Sequence, residues 1–547
     1  MERSRIIQLD EPNTLASFLT KEEQQTITSL KIIGVVGLKD FDVLDDMCTA
    51  WGEYDEYDNF IPDYDESPAL RILDMGEAAF VDSNCLPDFG YHALLETFIL
   101  PYNIHQVGLQ IDSGLCDSDM LQTLILPQGL KVVGGFMNCP RLTNLILPEG
   151  LEEIRDFAFN GCESITNIRI PASVKTMDGS CFGGCNITAF EIDITNPYFT
   201  IVDGVVFSKD LSTLVAFPSA YPHSDYKIPD TTRFIAPYAF DDTRIERVEF
   251  PDGLLSIGEW AFQGSTVKSI DLPNSVTTIG RGAFRFCFQL EDVHLSDKLE
   301  ELPTQLFSRC PKLKLLNIPS SVRKLYYSAV AWTDGLKQLI LNDGLEEIVD
   351  EGPMLGCSGN LQEMTFPKTL KKVQGGLFNY SPLIKSYHVA SDNPYFCVID
   401  GALYSKDGKI LYAVPVPERS NFTVAEGTEE IAERAFFGLS TLKEVILPES
   451  LLTIGDRVFQ DCSQLRCLRL PTNVKCVGVD FLLGCYKFET LILDSTIPPQ
   501  ITGRVSDDMW KYKDIKLFVP EEGVEQYKNA LGWKCFIIQE NNKFKTH

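Results

Sequence analysis

The chain has 547 residues, of which 44% are hydrophobic and 11% aromatic, so it can bury a sizeable core, and wholesale disorder is excluded. Its formal net charge of −29 argues against nucleic acid and anionic membrane surfaces as partners, because both would repel it. No stretch approaches the roughly 18 uninterrupted apolar residues of a membrane span, so we expect no membrane insertion.

Residues 1–75 lack the periodic pattern of the later chain, and we interpret them as an N-terminal cap. We predict strands at Ile27–Gly34 and Leu70–Met75 and a helix near Thr14–Glu23, after a first apolar segment at Ile6–Leu9.

Two features of this region bear on function. The acidic stretch Glu53–Glu66 lacks the glycine-centred ligand pattern of an EF-hand loop, which favours a solvated cap loop over a calcium site. The start, Met1–Gln8, lacks the apolar core of a secretion signal. We therefore expect either that a leader has been removed or that the protein stays inside the cell.

One phrase recurs over residues 76–495. Leu142–Pro148 has the form L-x-x-L-x-L-P and leads to Ala158-Phe159 and then Cys162; Leu442–Pro448 leads in the same way to Val458-Phe459. A period in the low twenties with this phrasing is typical of leucine-rich repeats. We predict an α/β repeat fold that is mostly β: a single curved solenoid with short parallel strands on its concave face, two β-hairpin inserts and terminal caps.

Aromatic and thiol side chains recur at fixed places in the repeat, and we expect both to pack inward. The predicted phenylalanine ladder comprises Phe159, Phe182, Phe262, Phe284, Phe307, Phe378, Phe436 and Phe459. The cysteines in phase, which we expect to be reduced and inert, are Cys139, Cys162, Cys185, Cys287, Cys310, Cys357, Cys462 and Cys485.

Two inserts, about residues 193–226 and 390–424, share the order N-P-Y-F, D-G and S-K-D. Asp-Gly between short β-prone runs predicts a hairpin, with a structural role favoured over a binding role. Residues 496–547 are interpreted as a C-terminal cap in which Trp533 and Phe536 cover the last coil.

Four features together resemble the BspA-like leucine-rich-repeat proteins of bacterial cell surfaces: the repeat, the two inserts, the N-terminal phrase Leu15 … Ile27-Thr-Ser-Leu30 … Asp40-Phe41, and the ending Val519–Phe536. The resemblance covers nearly the whole chain. It implies a secreted or surface-anchored, non-enzymatic protein that adheres to host or neighbouring-cell molecules, and it carries over no site residues.

The sequence shows no sign of an active site, so we expect no enzyme, no cofactor and no metal. Its six histidines are scattered, and the phosphate-binding and nucleophile motifs are missing. Cys181 and Cys185 are the closest cysteine pair, but Cys185 belongs to the repeat core, which argues against zinc.

The fifth residue of each strand phrase should point outward, and Ile99, Ile125 and Ile146 form an apolar run there. We predict a protein-docking patch at these three residues, although isoleucine is also a good strand former and the cap could cover it. The expected partner is a protein, such as a host matrix protein or surface glycoprotein, bound by a monomer. Alternatives are an intracellular or envelope scaffold and, disfavoured by the lack of aromatics in this column, a carbohydrate-binding protein.

Overall fold

Short parallel strands, stacked one per repeat, form the framework of the computed structural model. The structure describes residues 3–54, 60–63, 67–87, 93–108, 115–349, 360–374, 383–415, 420–502 and 514–541. Cys357, Phe378 and most of the acidic stretch Glu53–Glu66 lie outside these ranges. The chain divides into two compact units, residues 1–268 and 269–547.

The first unit begins with a six-stranded parallel sheet whose strand order follows the chain. Because the pairs lie in register, equivalent residues of successive repeats are neighbours, as Leu73, Phe98 and Leu124 are in the core. The strands are Ser4–Leu9, Ser29–Val36, Ile72–Phe80, Thr97–Ile99, Thr123–Ile125 and Asn144–Leu145.

The prediction of one helix near Thr14–Glu23 is wrong, because two short helices, Leu15–Phe18 and Lys21–Thr26, replace it. Leu19 between them is extended, and the Thr20 side chain caps the second helix by accepting from the Glu23 N–H.

A third helix, Leu38–Cys48, was not predicted, although Phe41, Leu44 and Met47 lie at helical spacing and are buried. The buried Asp40 carboxylate holds this helix to the preceding loop, accepting from the main-chain N–H groups of Gly37, Asn13 and Leu15 at 2.7–2.9 Å.

Further strands of the first unit form smaller sheets and a five-stranded arrangement that starts in the first insert. The small pairs are Trp51–Tyr54 with Phe60–Asp63, Val132–Val133 with Glu153–Ile154, Ile168–Ile170 with Phe190–Ile192, and Asp225–Lys227 with Arg247–Glu249. The strands of the five-stranded arrangement are Phe199–Val202, Val205–Ser208, Thr213–Ala216, Phe234–Ile235 and Ser256–Ile257.

Both inserts contain the predicted hairpin. Asp203-Gly204 and Asp400-Gly401 each adopt positive φ at both residues (50° and 80°, 51° and 80°), which suits the twist of a two-residue hairpin. In each insert a third antiparallel strand follows and also pairs in parallel with a strand of the next repeat. The insert is therefore part of the stacked sheet.

The second unit repeats the same plan on two sets of strands. One set contains Ser269–Asp271, Asp292–His294, Leu315–Ile318, Gln338–Leu341, Glu363–Phe366, Ser386–Val389, Asn421–Thr423, Glu444–Ile446, Cys467–Leu470, Thr490–Leu493, Lys516–Val519 and Ile537–Glu540. The other contains Thr278–Ile279, Glu301–Leu302, Lys324–Tyr326, Glu347–Val349, Lys372–Val373, Phe396–Ile399, Ala402–Ser405, Ile410–Ala413, Glu430–Ile431, Thr453–Ile454, Cys476–Val477 and Gln500–Ile501.

The second unit ends with the helix Val524–Asn529 and a buried aromatic side chain, Trp533. The Trp533 indole Nε1–H donates to the Pro499 carbonyl at 2.7 Å, and its ring stacks on Phe536 at 5.8 Å between centroids. These contacts place Trp533 and Phe536 where the sequence predicts them, against the end of the repeat core.

Phenylalanine rings stack between successive repeats inside each unit. Ring centroids lie 5.8 Å apart for Phe136 and Phe159, 5.6 Å apart for Phe159 and Phe182, and 5.6 Å apart for Phe284 and Phe307. All described members of the predicted ladder are buried. The mostly-β solenoid of stacked parallel strands is therefore confirmed.

Candidate protein-docking surface

The three predicted docking residues form a row on the outer face of the first parallel sheet, here called the isoleucine row (Ile99, Ile125 and Ile146). Ile99 pairs with Ile125 in register, and the next pair, Leu124 with Leu145, places Ile146 beside Ile125. The exposed fraction is 47% for Ile125 and 82% for Ile146, while Ile99 is half-buried.

The row is exposed because side chains alternate along each strand. Phe98 and Leu124 point into the core and are buried, so their neighbours must face outward. Small polar side chains lie on the same face, two residues before the isoleucines along the chain: the Asn144 amide Nδ2 donates to the Thr123 Oγ1 at 3.0 Å. The outer face therefore presents isoleucine methyl groups beside hydroxyl and amide groups.

Ion pairs flank the row on its N-terminal side. Asp74 lies in register with Ile99, and its carboxylate is 3.3 Å from the Lys31 ammonium, which also contacts Glu77 at 2.6 Å. The Glu77 and Asp74 carboxylates raise the pKa of Lys31 by hydrogen bonding to its charged form.

A second ion-pair cluster occupies the corresponding position of the repeat that follows Ile146. The Arg169 guanidinium lies 2.5 Å from the Asp193 carboxylate and 3.2 Å from that of Glu149. An apolar centre with a charged rim is the usual anatomy of a protein–protein interface.

The equivalent column in the second unit is more polar. Ile446 is 52% exposed there, but its neighbours in the column are Thr423, which pairs with it in register, and Arg469 of the next repeat. Ile340 lies in register with Asn317. Isoleucine in this position is therefore compatible with an ordinary repeat, and the run of three is what distinguishes the first unit.

Two cysteines that lie close together in the sequence of the first unit do not form a reactive site. Cys181 and Cys185, the candidate zinc pair, direct their thiols to different carbonyl groups, those of Ile154 at 3.4 Å and Phe159 at 3.2 Å. Burial raises the pKa of the Cys185 thiol to about 12 and that of Cys181 well above its usual range, so both stay protonated at neutral pH.

Within the described ranges, no group of three or more His, Cys, Asp and Glu side chains is placed to hold a metal ion. Across the same part of the chain, none of the helices has the length and apolar character to span a bilayer.

The second unit holds a surface that reasoning from the strand columns missed, here called the aromatic–arginine ladder (Arg285, Phe286, Phe288, Arg309 and Trp332). The Arg309 guanidinium carbon lies 5.3 Å from the Phe286 ring centroid and 5.7 Å from that of Trp332. These residues lie in the turns after the repeat phenylalanine rather than in the strands. Comparing the position of Phe286, Arg309 and Trp332, which recurs every 23 residues, across repeats would have found these three.

The fold and its repeat define a leucine-rich-repeat solenoid, and comparison with known proteins agrees. A crystal structure of a leucine-rich repeat protein from Eubacterium ventriosum is similar over 69% of this chain and 87% of its own, with 18% identity and a TM-score of 0.50. A leucine-rich repeat protein from Bacteroides ovatus is similar over 72% of this chain and 87% of its own, with 20% identity and a TM-score of 0.40. A leucine rich cell surface protein from Faecalibacterium prausnitzii is similar over 63% of this chain and 94% of its own, with 18% identity and a TM-score of 0.45. No curated protein is significantly similar.

Residues 133–220, 214–337 and 418–528 match the family described as BspA type leucine rich repeat region, in six copies. The chain belongs to this family of repeat proteins.

Proposed function

We propose that this protein is a non-enzymatic interaction module, secreted or displayed at the cell surface, that adheres to host or neighbouring-cell proteins as a monomer. Membership in the BspA-type repeat family supports an interaction role at a surface. The observation that carries the proposal is the isoleucine row, with Ile125 and Ile146 strongly exposed between two clusters of ion pairs.

The row suits a protein partner because its chemistry matches an interface core. Methyl groups on three adjacent strands offer apolar area without the cost of desolvating a charge, and the flanking Lys31 and Arg169 clusters supply the polar rim. Salt-resistant binding should follow, since the apolar contact is not screened by ions.

The test is binding of the purified chain to immobilised matrix proteins and host glycoproteins, followed by the triple variant Ile99→Thr, Ile125→Thr, Ile146→Thr. Threonine keeps the β-branch and the strand preference while removing apolar area. We expect saturable binding that survives high salt, and at least a tenfold weaker affinity for the triple variant.

Ile446→Thr is the matched control, because it removes an exposed isoleucine from the same strand position in the second unit. The isoleucine row would be removed from the proposal if Ile446→Thr lost as much affinity as the triple variant, or if the triple variant bound as tightly as the parent. Fractionation of the source cell separates adhesion from the alternative: native protein confined to the cytosol would favour an intracellular scaffold.

A further inference from the structure

The aromatic–arginine ladder occupies backbone positions that ordinarily exclude bulky side chains. Phe286, Arg309 and Trp332 come from three successive repeats, and their φ angles are 58°, 61° and 58°. At the same position of other repeats stand residues that tolerate left-handed backbone, such as Gly264 (φ 70°) and Asp242 (φ 51°). The fold does not need aromatic side chains at this position, because Gly264 and Asp242 occupy it in other repeats.

The ladder alternates ring faces and guanidinium groups. Arg309 lies between the Phe286 and Trp332 rings, and the Arg285 guanidinium carbon lies 4.4 Å from the Phe286 centroid. Trp332 is 41% exposed and Phe288 is 51% exposed, so ring surface remains open to solvent. The Phe286 and Trp332 rings hold the Arg309 guanidinium by cation–π attraction, which leaves the N–H edge of that group open to a ligand.

The ladder is a local concentration of positive charge on a chain whose net charge is −29. Within the described ranges no carboxylate lies at ion-pairing distance from Arg309. Burial lowers the pKa of the Arg285 guanidinium, and the positive charges of Arg309 and Arg281 lower it further. An anion bound here would relieve this repulsion, and a carboxylate suits the planar fork of arginine.

The main chain of the ladder has few donors left for a ligand. The Phe286 N–H donates to the Ser308 carbonyl and the Arg309 N–H to the Ala331 carbonyl, both at 2.9 Å. An extended peptide needs main-chain partners for its own amide groups. A sugar does not, because its hydroxyl groups stay solvated while its C–H face covers an aromatic ring.

We propose that the aromatic–arginine ladder binds an acidic saccharide, with the sugar carboxylate on Arg309 and its C–H face on Trp332 and Phe288. This surface lies in the second unit and is independent of the isoleucine row in the first.

The test measures binding of the full chain to three acidic probes: a galacturonic acid trimer, sialyllactose and a hyaluronan tetrasaccharide. We expect saturable, salt-sensitive binding to at least one probe, and binding about tenfold or more weaker in Arg309→Gln and in Trp332→Gly. The carboxyl methyl ester of the bound probe should bind as weakly as the unmodified probe binds to Arg309→Gln.

Both variants should fold, because glycine relieves the left-handed strain at position 332 and glutamine preserves the length of an exposed side chain. Arg457→Gln is the matched control, since Arg457 is another arginine with positive φ (53°) in the second unit, and it should bind as the parent does. Circular dichroism confirms that each variant is folded.

Four results would overturn the proposal: no binding to any of the three acidic probes, equal binding of the methyl ester, equal loss in Arg457→Gln, or undiminished binding by both ladder variants. Equal binding of tri-glutamate, with the same sensitivity to Arg309→Gln, would reassign the ladder to acidic polypeptides.

Discussion

The Cys462 thiol donates a 3.1 Å hydrogen bond to the main-chain carbonyl of Phe436 in the preceding repeat. The same bond recurs from Cys162 to Phe136 and from Cys185 to Phe159. The recurring geometry shows why a thiol occupies this phase: a small side chain with a donor adds a hydrogen bond without filling the space that the rings require. The Phe436 carbonyl also accepts from the Leu439 N–H at 3.3 Å, so the thiol supplies its second bond.

Replacing Cys462 by two different residues should separate the contribution of its hydrogen bond to stability from that of its packing. Cys462→Ala removes one of the two hydrogen bonds to the Phe436 carbonyl, which still accepts from the Leu439 N–H at 3.3 Å, and we expect it to lower the free energy of unfolding by about 0.5–1.5 kcal/mol. Cys462→Thr should lose less, because Thr333 occupies the same phase and its Oγ1 donates to the Phe307 carbonyl at 2.7 Å. Urea unfolding measures both variants.

Cys467→Ala is the control for that pair, because Cys467 is exposed and outside the phase, and its replacement should be nearly neutral. Equal losses for Cys462→Ala and Cys462→Thr would show that the hydrogen bond contributes nothing measurable.

The stacked rings should dominate the stability of each unit. Phe284 is fully buried and stacks on Phe307, so Phe284→Ala removes apolar contact and leaves a cavity, at a cost of about 3–5 kcal/mol. Phe284→Leu should cost less, because it fills part of the space. An unchanged urea midpoint for Phe284→Ala would contradict this role for the stack.

The sequence predicts these core positions well because periodic burial leaves a periodic pattern. The repeat Phe and Cys residues and the hairpin turns follow from spacing and from local turn chemistry. Each of these features is decided within one repeat or between adjacent repeats.

Features that depend on non-periodic packing were predicted less well. The break at Leu19 and the helix Leu38–Cys48 depend on packing at the end of the sheet, and this packing leaves no periodic pattern in the sequence. The aromatic–arginine ladder was missed for a different reason: its residues vary at a position where other repeats carry glycine or Asp242, so a consensus treats them as exceptions. The isoleucine row was predicted from strand alternation alone, and its role as a docking patch stays a prediction.

Two asparagines anchor the inserts in the same way, and each should be sensitive to substitution. Asn196 is fully buried, and its amide Nδ2 donates to the carbonyl groups of Pro171 and Val174 at 3.1 and 3.0 Å. Its Oδ1 accepts from the N–H groups of Tyr198 and Phe199 at 2.7 and 2.9 Å. We expect Asn196→Ala to cost about 3 kcal/mol or more, because four main-chain groups lose a partner and three of these bonds are buried.

Asn393 makes the equivalent four bonds in the second insert, so Asn393→Ala should cost a similar amount in its own unit.

Asn196→Asp adds a charge that faces two carbonyl oxygens. The variant should therefore lose more unfolding free energy at pH 8 than at pH 4, where the acid is protonated. The measurement is the urea midpoint at both pH values. A loss that does not change with pH would mean that the aspartate turns out to solvent.

Asp241 should make the first unit less stable as the pH rises. The carboxyl is buried and accepts from Asn160 Nδ2 at 3.4 Å and Gln263 Nε2 at 3.3 Å, and these two amides do not offset its burial. Burial, with the negative charges of Asp242 and Asp178, raises the pKa of Asp241 to about 8.

The raised pKa fixes the sign of the effect. The folded chain keeps the Asp241 proton up to about pH 8, whereas the unfolded chain loses it near the ordinary value of about 4. Between these values the native state binds more protons, so the free energy of unfolding falls as pH rises. Asp241→Asn mimics the protonated acid, and we expect it to be more stable than the parent by roughly 2–4 kcal/mol at pH 8 and nearly equal to it at pH 4.

Thermal unfolding from pH 4 to pH 8 measures this difference, with Asp252→Asn as the control, because Asp252 is an exposed aspartate of the same unit. The control should keep the pH dependence of the parent, and Asp241→Asn should lose most of it. If the parent and Asp241→Asn change in parallel across this range, the carboxyl must already be ionised in the folded protein, with its charge solvated or paired by a rearrangement of Asn160 and Gln263.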